Sequence, residues 1–114
     1  PPQFHTKNVT LPTIGDGIKQ VLYAMQEKYP IIGDVRGLGS MIGIELVKDR
    51  TTKEPAPKEA TLLRQKCYQN GLITIGAGIH HNVIRILVPL VITDEELEEG
   101  LSILDEAFGS TLMH

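Results

Sequence analysis

The sequence predicts an α+β (two-layer α/β) fold: a small three-stranded, mostly antiparallel sheet with helices on one face and the other face partly open. Three observations lead there. Three segments carry apolar residues at helical spacing, and three shorter ones are rich in Ile, Leu and Val, as half-buried strands are. Their order is helix, strand, helix, strand, strand, helix. Three short strands need a helical layer to be stable, so the helices should cover one sheet face.

Residues 1–12 hold three prolines and no period. They read as an extended arm or chain edge, which leaves 13–114 as the folded domain. In 13–29, Ile14, Ile18, Val21 and Met25 form one helical stripe, Thr13 and Asp16 resemble a capping box, and Pro30 ends the helix. Gly33, Gly37, Gly39 and Gly43 punctuate the next stretch, which suggests positive-φ turns or a close approach by another chain segment or a ligand. Met41 to Val47 reads as the first strand, and 48–56 as a solvated loop or hairpin tip.

The second helix spans 57–70. Pro57 suits its first position, Ala60, Leu63 and Cys67 form its buried stripe, and Asn70-Gly71 stops it. Cys67 is therefore read as a core residue. Leu72–Ile75 and Val83–Val88 are the remaining strands, joined by the loop GAGIHHN. The last helix, 94–108, has the clearest signals. Thr93 and Glu96 make a capping box, and Ile92 and Leu97 a hydrophobic staple. Leu97, Leu101, Leu104 and Phe108 form its core stripe, with Gly109 expected as the stop. The acids Asp94, Glu95 and Glu96 complement the positive helix end, so they are not read as a metal site.

Composition narrows the function classes. The chain has 114 residues, 41% hydrophobic and 22% charged, with net charge −3. That is the profile of one soluble domain without the Lys/Arg cluster a nucleic-acid partner would require. The longest apolar run, Val83 to Ile92, contains Arg85 and Pro89 and is far short of the ~20 residues of a membrane helix. Residues 1–12 lack the basic start and apolar centre of a signal peptide. The single Cys67 excludes an internal disulfide and fits a reducing, cytoplasmic compartment.

Arg85 is the one chemical anomaly. It sits within VIRILV, and period two places it on one face with Val83 and Leu87. A guanidinium there either pairs with a structural acid at a sheet edge or meets an anionic ligand. Its planar fork suits a carboxylate or phosphate. His80 and His81 are adjacent, point to opposite faces if extended, and make a poor metal pair. Gly76, Gly78 and Asn82 could line a pocket but lack a phosphate-loop fingerprint. GDVRGLG precedes a strand, the reverse of a dinucleotide fingerprint. Asp34, Arg36 and Glu45 read as turn, surface or lone strand residues, and no nucleophile–base arrangement is visible.

The succession GDVRGLGSMIGIELV, NGLITIGAG and NVIRILVPLVITDEELEEGLSIL resembles the C-terminal small domain of class III pyridoxal-phosphate-dependent aminotransferases, and most of all the 4-aminobutyrate aminotransferase group. The resemblance covers residues 14–108. It implies the small domain of a fold type I transferase that closes over an active site, with Arg85 holding the substrate carboxylate and Arg36, in VRGLG, structural or gating. It further implies transfer of an amino group from an ω-amino acid to a 2-oxo acid, a large cofactor-binding domain in the same enzyme, and a homodimer. The cofactor, pyridoxal 5′-phosphate, needs a Schiff-base lysine. Lysines 7, 19, 28, 48, 53, 58 and 66 fall in the arm, on polar helix faces or in the charged loop. The chain alone is therefore expected to bind no cofactor and to be inactive, as part of a larger enzyme or a truncated paralogue. A different class of reading is a stand-alone, non-catalytic binding or interaction module that keeps this fold.

Overall fold

A computed structural model describes residues 11–38, 41–87 and 93–112. In chain order the elements are α1 (Leu11–Lys28), β1 (Ile32–Leu38), β2 (Met41–Asp49), β3 (Glu54–Pro55), α2 (Pro57–Gln69), β4 (Ile75–Ala77), β5 (Val83–Leu87) and α3 (Asp94–Leu112). The α+β class holds, but the sheet has five strands rather than three. The path is β1-β2-β5-β4, with β3 paired to β2, and every pairing is antiparallel.

The two strands the sequence did not predict are β1, where glycines interrupt the pattern, and the short β3, which falls in the segment read as a solvated loop or hairpin tip. In β1 the glycines point to positive-φ turns or a close approach, and both features occur within a strand. Gly33 is a close approach: a Cβ there would come within 2.8 Å of the Val47 side chain. Gly37 has φ +149°, and a Cβ would collide with the Met41 carbonyl, so only glycine fits this arm of the hairpin. β4 falls two to three residues later than expected, on the GA of GAGIHHN. Gly76 faces α2, where a Cβ would meet the Arg64 guanidinium at 2.7 Å.

Helix ends show local chemistry at work. α1 begins at Leu11, ahead of the expected Thr13 cap, so Thr13 and Asp16 lie inside the helix rather than at its start. At its other end, Arg50 donates from Nε to the Pro30 carbonyl at 3.1 Å, and from its terminal nitrogen to Tyr29 at 3.2 Å and to Gln26. These bonds satisfy carbonyls that a helix end leaves open, a role the charged loop did not reveal. α2 starts with Pro57 and stops at Asn70, followed by Gly71 at φ +95°.

The α3 capping box is reciprocal. The Glu96 amide donates to Thr93 Oγ1, and the Thr93 amide to Glu96 Oε1, each at 3.0 Å. Ile92, the other half of the expected staple, lies outside the described residues. Gly109 does not end α3, which runs on to Leu112. It is instead a contact site, since a Cβ there would lie 3.4 Å from the Tyr29 hydroxyl. Tyr29 also stacks on Phe108 with ring centroids 5.4 Å apart and donates to Asp105 Oδ1 at 2.7 Å, tying the end of α1 to α3.

The core lies between the helices and one sheet face. β2 contributes Ile42, Ile44 and Leu46; β1 Ile32 and Val35; β5 Ile84. α1 covers β1 and β2 with Ile18, Val21, Leu22 and Met25, and α2 covers β2, β4 and β5 with Ala60, Leu63 and Cys67. α3 packs on α2 through Leu97, Leu101, Leu104 and Phe108. The opposite sheet face carries no described helix, and it holds Arg85.

Candidate functional site on the open sheet face

Strand register builds the site. Gly43 of β2 pairs with Arg36 of β1 on one side and with Arg85 of β5 on the other. The three form one row across the sheet, with a residue lacking a side chain between two guanidinium stems. The next row on this face is Asp34, Glu45 and Val83. Glu45 is thus the diagonal neighbour of both arginines, within reach of long side chains.

The acids are shared unequally. Arg36 Nη1 lies 3.2 Å from Asp34 Oδ2 and 3.7 Å from Glu45 Oε1. Arg85 has no ion-pair or hydrogen-bond partner among the described residues and is exposed. The sequence left open whether Arg85 pairs with a structural acid. The acids nearest in register are turned to Arg36 instead.

A shallow pocket of about 240 Å³ lies between the arginines, lined also by Gly37, Met41, Gly43, Ala77, Gly78 and Val83. Around it the face is apolar and exposed: Met41 is 48%, Leu87 56% and Ile75 45% accessible. Two of the three polar-loop residues resolve differently from expectation. Asn82 is buried and structural; it donates from Nδ2 to the Leu46 carbonyl at 2.9 Å and accepts the Leu46 amide at 2.8 Å. Gly76 faces α2. Only Gly78, at φ +88°, lines the pocket.

The remaining candidates lie elsewhere. His80 and His81 are exposed in the turn before β5, and no group of three or more His, Cys, Asp or Glu converges among the described residues. Cys67 is fully buried, and burial pushes its thiol up to about 11. No described lysine lines the pocket. Lys19 donates to the Gly37 carbonyl, Lys28 pairs with Asp105 and Lys48 with Glu54. Without an amine beside Arg85, the described residues do not fit pyridoxal phosphate. No described helix is long and apolar enough to cross a membrane.

The described chain is thus an antiparallel sheet covered on one face by α1 and α2, with α3 packed on α2, and this architecture is found in solved aminotransferases. An aminotransferase structure from Bacillus anthracis superposes with TM-score 0.81 and 30% identity, over 88% of this chain and 23% of that one. The aminotransferase class-III family model matches residues 7–108, and the chain belongs to that family. The Bacillus subtilis protein named "Probable 4-aminobutyrate aminotransferase" is 48% identical over 92 residues, 81% of this chain and 21% of the relative. A leucine/methionine racemase from Thermococcus litoralis is also 48% identical, over 84% of this chain and 21% of its own length. The chain spans about a fifth of the length of the relatives it matches.

Proposed function

We propose that the chain from α1 onward, residues 11–114, is the C-terminal small domain of a pyridoxal-phosphate-dependent aminotransferase of the 4-aminobutyrate type, so the boundary expected at 13 moves to the start of α1. The domain closes over the active site of a larger enzyme and supplies Arg85 to hold the substrate carboxylate. One observation carries this: among the described residues Arg85 has no acid partner on the bare sheet face, while both neighbouring acids are engaged by Arg36. A free planar fork above a shallow pocket is suited to a carboxylate bound through two hydrogen bonds. Fixing that end of an amino acid orients its amine.

The substrates on this proposal are an ω-amino acid and a 2-oxo acid. Pyridoxal phosphate, held by the large domain, supplies the electron sink for amino transfer. The same proposal includes a homodimer in the cytoplasm, the location supported by a single unpaired thiol.

Steady-state kinetics of the full-length enzyme test the role of Arg85. Arg85→Lys keeps the charge and loses the fork; Arg85→Ala loses both. With carboxylate-bearing donors, kcat/KM should fall for the Lys variant and further for the Ala variant, by about 2–4 kcal/mol in transition-state terms. An amine without a carboxylate should be affected far less. Equal losses on both substrate types would make Arg85 structural and refute the assignment.

A further inference from the structure

We infer that Arg36 is a positioning residue that keeps Arg85 free for its ligand by holding Glu45 away from it. The inference rests on the carboxylate role proposed for Arg85 and goes beyond it. Its basis is the symmetry of the register. Gly43 separates the two arginines in one row, and Glu45 in the next row is diagonal to each. Either guanidinium is within the reach of a diagonal cross-strand pair. Glu45 lies against Arg36 at 3.7 Å, and Asp34 fixes the same Arg36 nitrogen at 3.2 Å. Asp34 thereby biases Arg36 toward the side on which Glu45 stands.

Without Arg36, the cation left within diagonal reach of Glu45 among the described residues is Arg85. A Glu45–Arg85 pair would occupy the fork and compete with an incoming carboxylate. Gly43 places no side chain between the three groups.

The experiment is a double-mutant cycle in the full-length enzyme, with Arg36→Gln, Glu45→Gln and the double variant. The readouts are KM for a carboxylate-bearing donor and the inhibition constant of unreactive butyrate. Arg36→Gln should raise both by about two- to fivefold, the scale of an exposed ion pair. Glu45→Gln alone should change them little, and in the Arg36→Gln background it should restore them. That non-additivity separates a direct exchange of partners from a general change of local charge, which would add independently in the two backgrounds.

Additive effects, or an Arg36→Gln variant indistinguishable from the parent, overturn the inference. If Arg85→Ala also leaves carboxylate binding intact, the proposal for Arg85 fails too, and the two failures are thereby distinguished. Both substituted side chains are at least partly exposed, and a thermal midpoint for each variant confirms that folding is retained.

Discussion

Arg85 was legible from the sequence because a charge inside an apolar alternation is conspicuous at the level of single residues. Arg36, Asp34 and Glu45 were not, since their relation depends on which rows face each other across β1, β2 and β5. Cys67 was read correctly as core, and its environment gives a prediction. Burial raises its pKa from an ordinary 9.0 to about 11. Between those values the unfolded chain releases the proton and the folded chain keeps it. Stability from this group is therefore complete below about pH 9 and declines as pH rises toward about 11. Denaturation midpoints measured from pH 8 to 11 should fall more steeply for the native sequence than for Cys67→Ala. A thiol reagent at pH 8 should label Cys67 only after denaturation, because the buried, protonated thiol is neither accessible nor nucleophilic. Rapid labelling of the folded chain would contradict the packing described here.

At the scale of elements, the helices were legible, whereas β1 and β3 were not and β4 was legible only to within two or three residues. A helix announces itself through caps and a stripe contained within one segment, as in Thr93, Glu96 and the Leu97–Phe108 series of α3. β1 and β4 carry glycines at contact points, and their strand character comes from antiparallel pairing with the strand that follows each, which periodicity within the segment cannot register. Gly109 shows the converse error. It looked like a helix stop, yet its lack of a side chain serves the approach of Tyr29.

The α3 signals predict graded losses of stability. Thr93→Ala removes one half of the capping box and should cost about 0.5–2 kcal/mol. Leu104→Ala, at a fully buried position, should cost about 2–5 kcal/mol, and Leu101→Ala, at the edge of the core, about 2. Urea denaturation of the three variants checks the order. A Leu104→Ala midpoint equal to the parent's would show that α3 does not pack on α2 as described.

At the scale of the whole molecule, the described lysines decide what the chain can do with pyridoxal phosphate alone. Formation of a covalent adduct needs an unprotonated amine held beside the aldehyde. Such an amine is obtained by burial or by a neighbouring cation, both of which disfavour the ammonium form. The environment of Lys28 acts in the opposite direction: its hydrogen bond with Tyr29, then its bond and ion pair with Asp105, raise its pKa. Lys48, Lys53, Lys58 and Lys66 are exposed, and Lys19 is half-buried but engaged by the Gly37 carbonyl. None stands in the pocket beside Arg85. Mixing the chain with pyridoxal phosphate, reducing with borohydride and mapping the product by mass spectrometry should therefore give weak labelling spread over several exposed lysines. Stoichiometric labelling of a single lysine would show that this chain by itself builds a cofactor site. It would then move the Schiff-base chemistry out of the large domain assigned above and onto the sheet that carries Arg85.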